Sequence, residues 1–272
     1  MAFRQSERHA DELQTHGYTV FRGIVPPSLI DDLREACTEG RDRVRALRGV
    51  QVQRFQPISA FDLSPQPFQD FRELPELGEA IRRALTREHT YGDPSQMGVL
   101  LEPGESAWCT HWHRDSRDNQ PHMSLASWKA AFSDWRCFGQ SNCPLYADSS
   151  LWVVPGSHVR PDLPRETLRF PSRPVERPDL EAASPAARER RCREYAESMP
   201  GALQVHLAAG DYCLYRSVMW HMGSYLPYTR RATLHDFVDT PTFAAWRAAT
   251  AGEARGLREQ GVPAWSWWDG VG

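Results

Sequence analysis

The stretch Thr110-His111-Trp112-His113-Arg114-Asp115 contains an H-x-D pair, His113 and Asp115. In an extended segment residues i and i+2 point to the same side, so both side chains can reach one metal ion from one strand end. A third ligand must come from elsewhere. His221 stands 108 residues further on, in Trp220-His221-Met222-Gly223-Ser224, after the turn and strand Ala209-Gly210-Asp211-Tyr212-Cys213-Leu214-Tyr215. Two strands brought together in a barrel would converge the three side chains. Two imidazoles and one carboxylate are the ligands of the facial triad of non-heme Fe(II), which leaves positions open for a co-substrate and O₂. Arg230 and Arg231 follow His221 by nine and ten residues. An arginine there can clamp the far carboxylate of 2-oxoglutarate through two parallel hydrogen bonds. Strand alternation allows only one of the two to face the interior.

Working outward, the first part of the chain reads as helices and the later part as strands. Residues 7–16 form a short polar helix closed by Gly17, and 18–22 alternate like a strand. A helix opens at Pro26-Pro27-Ser28 and runs to about Arg48, with Leu29, Leu33 and Cys37 on one face. Residues 50–68 are irregular, and 75–88 carry a further helical stripe. Strands are expected at 97–101, 124–132, 144–154, 204–207, 211–220 and 231–238. Residues 159–200 interrupt the strands with a Pro-, Arg- and Glu-rich segment. Ser184-Pro185 there starts a helix to about Met199. Such an insertion is either a solvated excursion or a lid over the site. The expected organisation is one domain, 1–272. It comprises an N-terminal helical layer (1–95), a mainly β core (96–240) with the 159–200 insertion, and a C-terminal tail (241–272).

Composition narrows the function. The chain has 272 residues, 40% apolar and 11% aromatic, enough for a sizeable core. Its formal charge of -3 offers no electrostatic reason to expect a nucleic-acid or membrane surface. Cys37, Cys109, Cys137, Cys143, Cys192 and Cys213 include no C-x-x-C pair, which argues against zinc knuckles and fits reduced thiols. The N-terminus lacks an apolar signal segment and no window is apolar enough to span a bilayer, so a cytoplasmic location is expected. The expected partner is a small-molecule substrate; oligomeric state is not legible.

Further motifs carry a family resemblance. Leu151-Trp152-Val153-Val154-Pro155-Gly156-Ser157-His158 resembles the L-x-V-x-P-G-S-H segment of the phytanoyl-CoA dioxygenase family. The Gly-Asp before the strand leading to Trp220-His221, the Arg230-Arg231-Ala232 strand, and Gly17-Tyr18-Thr19-Val20-Phe21 followed by a helix are similar to that family's distal-histidine, carboxylate-binding and opening regions. The resemblance spans roughly residues 9–240, with four short motifs in the right order. It implies a mainly β fold with flanking helices around a double-stranded β-helix core, a jelly-roll of cupin type. It also implies a dioxygenase using Fe(II), 2-oxoglutarate and O₂, hydroxylating an unactivated C–H of a small-molecule or natural-product intermediate with release of succinate and CO₂. Carried over, His113, Asp115 and His221 are the metal ligands. Arg230, favoured over Arg231 by the Arg-x-Ala register, binds the co-substrate, although the family's arginine usually follows by about eleven residues. Trp128, on the expected strand after H-x-D, stands where the family often places an aromatic beside the co-substrate, though core packing accounts for it equally. Asp115 favours hydroxylation or another oxidative outcome, such as desaturation, epoxidation or ring closure, over halogenation, for which a small residue replaces the carboxylate.

Two rival readings exist. His111-x-His113-x-Asp115 is similar to the H-x-H-x-D-H signature of metallo-β-lactamase-fold zinc hydrolases, but Ser116 stands where that signature needs histidine. A non-catalytic cupin-like binding domain is the other. Cys109 and His158 read better as packing and turn residues than as ligands. Trp265, Trp267 and Trp268 read as docking the tail on the core.

Overall fold

The computed structural model describes residues 3, 6–115, 117–118, 123–133, 139–171, 175–181 and 183–261. Among them two antiparallel sheets are flanked by helices. The larger has the order β1-β8-β5-β10-β3-β2 and the smaller β4-β9-β6-β7. The strands are β1 (Tyr18–Phe21), β2 (Arg54–Phe55), β3 (Gly98–Leu101), β4 (Trp108–Cys109), β5 (Gln140–Pro144), β6 (Leu151–Val153), β7 (Leu203–Gln204), β8 (Tyr212–Tyr215), β9 (His221–Tyr225) and β10 (Ala232–Asp236). The helices are α1 (Arg8–His16), α2 (Pro27–Arg48), α3 (Gln66–Arg72), α4 (Pro75–Ala84), α5 (Leu125–Ser133), α6 (Pro164–Arg169), α7 (Pro185–Glu197) and α8 (Pro241–Glu259). None is long and apolar enough to cross a membrane.

Alternation in the larger sheet separates core from cavity. Phe21, Phe55, Val99, Leu101, Cys143, Tyr212, Leu214 and Leu234 join the main apolar cluster, together with Leu13 of α1, Leu33 of α2 and Ile81 of α4. The intervening residues Arg54, Leu100, Gln140, Asn142, Tyr215 and His235 face the other way and line a cavity. Directly paired residues share a face, and the register agrees: Arg54 opposes Leu100, His235 opposes Asn142, and Gln140 opposes Tyr215. A sheet face this polar is costly to bury without ligands or hydrogen-bond partners, which marks it as a site. The N-terminal layer is therefore not only helical, because β1 and β2 complete both edges of this sheet.

Several expected elements differ. Residues 124–132 form a helix rather than a strand. Ser124 starts it, its Oγ accepting from Ser127 N at 3.1 Å and its carbonyl from Trp128 N at 2.9 Å. The Ala130-Ala131 pair lacks the β-branching a strand favours, and packing against α8 settles the choice. In the 144–154 segment only Pro144, at the end of β5, and Leu151–Val153, as β6, are strand, and the two belong to different sheets. Helix α4 stops at Ala84. The expected tail contains a 19-residue helix, α8, capped by the Thr240 hydroxyl accepting from Phe243 N at 3.1 Å. Trp265, Trp267 and Trp268 lie outside the described residues. Helix α7 begins as expected, with Ser184 Oγ accepting from Ala187 N at 3.3 Å.

Candidate metal centre

His113 lies just after β4, and His221 opens β9. The two pair as an isolated antiparallel bridge, which sets both side chains on one face. The imidazole centroids are 4.2 Å apart. Asp115 completes the group: its Oδ1 is 3.6 Å from His113 Nε2 and its Oδ2 3.8 Å from His221 Nε2. One donor atom from each of the three residues lies within 4.8 Å of the others. Among the described residues, neither His111 nor Cys109 joins this set.

The local backbone prepares these donors. His113 Nδ1 lies 2.8 Å from the His111 carbonyl, and His221 Nδ1 lies 2.8 Å from the Met219 carbonyl. A carbonyl only accepts, so each Nδ1 carries the proton and each Nε2 presents a lone pair to the centre. Burial, then the neighbouring His221 imidazole, push His113 below its ordinary pKa, which favours the neutral form that metal binding requires. Asp115 N donates to Ser217 O at 2.8 Å, and the Gln140 side-chain amide donates to Asp115 Oδ2.

Two arginines that sequence reasoning missed hold the ligand loop. Arg114, between the two H-x-D ligands, is fully buried. Its Nη1 donates to Ser157 O at 2.6 Å and Val218 O at 3.2 Å, and its Nη2 pairs with Asp162 at 3.0 Å. Arg117 pairs with Asp118 at 2.6 Å and Asp162 at 2.8 Å. Asp118 Oδ2 in turn accepts from Arg114 N at 2.7 Å. Both guanidiniums lie over the Trp128 and Trp220 rings at 4.6–5.8 Å. Trp128 thus serves as a buried platform on α5 and is absent from the cavity lining. The only sequence signal was the alternation of basic and acidic residues around H-x-D.

The Pro155-Gly156-Ser157-His158 turn has a related role. Ser157 Oγ donates to Val154 O at 2.7 Å and accepts from Trp220 N at 3.0 Å, fixing the residue before His221. His158 is buried against Gly17, where a Cβ would come within 2.5 Å of its Nδ1; Gly17 also has φ +83°.

The cavity lined by His113, Asp115 and His221 measures about 420 Å³. Arg231 lines it; Arg230 does not. The Arg230 guanidinium reaches Thr38 Oγ1 at 3.3 Å on the exterior and lies over Tyr146. Arg231 is buried, with Nε donating to Asp148 at 2.8 Å and the guanidinium 4.6 Å over the Tyr225 ring. Its Nη1 is buried without a hydrogen-bond partner. Burial alone would raise the Asp148 pKa, but Arg231 and the Ser150 and Thr233 hydroxyls outweigh it and hold it low. The expectation that Arg230 faces inward is thus corrected by one residue: a register shift of one exchanges the two faces of a strand.

Among the described residues of 159–200 none lines the cavity. Helix α7 instead packs on β4 and β9. Cys192, Tyr195 and Ala196 join Trp112, Trp220 and Met222 in one cluster, and Trp112 N donates to Tyr195 Oη at 2.9 Å. The segment supports the outer side of the smaller sheet. Phe243 and Arg247 of α8 also line the cavity.

No family model matches the chain, and no curated protein matches it by sequence. Solved structures do match. AviO1 from Streptomyces viridochromogenes Tue57 superposes with a TM-score of 0.55 at 15% identity, covering 86% of this chain and 95% of that one. The non-heme alpha-ketoglutarate-dependent epimerase SnoN of nogalamycin biosynthesis, solved with Fe3+, alpha-ketoglutarate and nogalamycin RO, gives 0.52 at 16% identity, over 87% of this chain and 86% of that one. EctD from S. alaskensis, with 2-oxoglutarate and 5-hydroxyectoine, gives 0.54 at 18% identity, over 86% of this chain and 76% of that one. At these identities the likeness establishes that the chain shares the fold of non-heme oxygenases.

Proposed function

We propose that residues 1–272 form one oxygenase domain on a double-stranded β-helix of jelly-roll type, akin to the phytanoyl-CoA dioxygenase family, and that it is an Fe(II)- and 2-oxoglutarate-dependent dioxygenase acting on a small molecule. The observation that carries this reading is the His113–Asp115–His221 donor set, with both imidazoles turned Nε2-inward, in a cavity that also presents a buried unpartnered arginine nitrogen. The chemistry of the donor set fits iron, and the orphaned Arg231 Nη1 fits a carboxylate. Structures of the same fold in complex with iron and 2-oxoglutarate support both.

In this reading His113, Asp115 and His221 would hold the iron. Iron, 2-oxoglutarate and O₂ together would supply an oxidant able to take a hydrogen atom from a C–H bond, leaving succinate and CO₂. The chain's own work is positioning. The Arg231 guanidinium, braced by Asp148 and Tyr225, receives the far carboxylate of the co-substrate. Gln140 keeps the Asp115 carboxylate turned to the centre. Leu100, Leu151, Met222, Phe237 and Phe243 give the cavity an apolar side that excludes water from the reacting C–H. Hydroxylation is the proposed outcome; an intact carboxylate ligand at Asp115 supports it over halogen transfer.

The test is succinate release from 2-oxoglutarate under air with Fe(II), against a pool of small organic metabolites. Turnover of 2-oxoglutarate that requires iron and is lost in His221→Ala supports the reading. Tight stoichiometric zinc together with hydrolase activity removes it.

A further inference from the structure

Three arginines line the cavity, against a single acidic residue, Asp115. Two of the three already have acid partners: Arg231 pairs with Asp148 at 2.8 Å and Arg247 with Asp239 at 3.2 Å. Arg54 has no carboxylate within ion-pair distance among the described residues, although ion pairs are abundant elsewhere in this arginine-rich chain. Its position is set by the register of β2 on β3. Phe55 opposes Val99 and enters the core, so Arg54, opposing Leu100, turns to the cavity face and lines it while remaining solvent-exposed. Burial first, and then the Arg54 guanidinium, hold His235 far below its ordinary pKa, at about 3. His235 Nδ1, 2.8 Å from Asn142 Oδ1, leaves Nε2 as an acceptor beside it. The remaining wall near this group includes Phe237 and Phe243, and Arg247 extends over the Phe243 ring at 5.4 Å.

We propose that the substrate is an organic acid, its carboxylate or phosphate held by Arg54 and its apolar body laid against Phe237 and Phe243. This rests on the functional reading above and deepens it by naming the substrate class. The physical reasoning is local. A cation on the wall of a partly enclosed cavity, with no carboxylate partner of its own, gains most from an anionic guest, because charge-assisted hydrogen bonds strengthen as water is excluded. The co-substrate has its own cation in Arg231, which retains a free donor. Arg247, whose side chain is 42% exposed and whose ion pair with Asp239 spans 3.2 Å, can turn toward the same anion.

Calorimetric titration of benzoate, phenyl phosphate and benzyl alcohol tests the proposal. It is run on the metal-free protein and on the nickel(II)-loaded protein saturated with 2-oxoglutarate. The acids should bind at least about tenfold more tightly than the alcohol, and Arg54→Gln should remove most of that difference. Arg54→Lys should restore part of it, while 2-oxoglutarate affinity stays within about threefold of wild type. The tighter of the two acids identifies the class as carboxylate or phosphate. Acids no tighter than the alcohol overturn the proposal, as does a preference that survives Arg54→Gln. A loss of 2-oxoglutarate affinity in Arg54→Gln with acid binding intact also overturns it and assigns Arg54 to the co-substrate. Failure of the functional reading is separately visible: the nickel-loaded wild type would bind no 2-oxoglutarate, while the metal-free protein still showed acid selectivity dependent on Arg54.

Discussion

His113 and His221 exchange both of their backbone hydrogen bonds. His113 N donates to His221 O at 3.1 Å, and His221 N to His113 O at 3.0 Å. Residues 108 positions apart are thus a directly opposed antiparallel pair. Their side chains leave the same face at a separation set by strand geometry rather than by flexible loops. The candidate metal centre is in this sense a cross-strand pair with one added carboxylate, and its rigidity comes from the ladder itself.

Under anaerobic conditions, Fe(II) with 2-oxoglutarate should give a weak visible charge-transfer band. His113→Ala or His221→Ala should abolish it, since two remaining donors hold iron poorly. An undiminished band in either variant would remove that residue from the ligand set.

Arg231→Ala should weaken 2-oxoglutarate binding by roughly 2–5 kcal/mol, the cost of leaving a buried carboxylate without its charged partner. Iron affinity should change far less. Arg230→Ala, on the exterior, should stay near wild type. Calorimetry on the nickel protein separates the two, and a large effect at Arg230 with none at Arg231 would reverse the assignment.

Gly223 lines the cavity where a Cβ would collide with the Tyr225 hydroxyl. Gly223→Ala should therefore displace Tyr225 from beneath the Arg231 guanidinium. The expected result is a loss of about 1–3 kcal/mol in stability and a raised KM for 2-oxoglutarate. An unchanged melting temperature together with an unchanged KM would show that Tyr225 does not brace Arg231.

Helix α7 should exchange its amide hydrogens slowly without any ligand, because Tyr195 and Cys192 are locked into the cluster with Trp112 and Trp220. A lid would behave differently, exchanging fast when empty and slowly when substrate is bound. Deletion of 175–198 should accordingly lower stability and iron affinity rather than merely uncouple turnover.

His158 is held at a pKa of about 3 by burial and then by the Arg216 guanidinium. The unfolded chain takes up this proton near pH 6.5, so the neutral form's contribution is complete above that pH. It declines as acidification proceeds and is lost near pH 3, on the order of 4 kcal/mol for a fully buried group. Denaturant titrations across this range should show stability falling with pH, and His158→Gln should flatten the slope. Parallel slopes for the two proteins would place the acid sensitivity elsewhere.

The residues alone singled out His113, Asp115 and His221, which the structure brings together, the helix starts at Ser184-Pro185 and after Pro26, and the strand around 97–101. Each depends on short-range chemistry: an i, i+2 spacing, a capping hydroxyl, an apolar run. Three matters belonged to the tertiary structure. Whether 124–132 is helix or strand depended on α8, a partner more than a hundred residues away. Which of Arg230 and Arg231 faces inward depended on the register of β10 between β3 and β5, and neighbouring positions on a strand differ only in face. That Arg54 enters the cavity depended on β2 pairing at the sheet edge, within a segment that reads as irregular. Local sequence specifies which atoms are available for chemistry; long-range strand pairing decides which of them meet, because burial of an apolar face against distant elements outweighs the small energies that local patterns express.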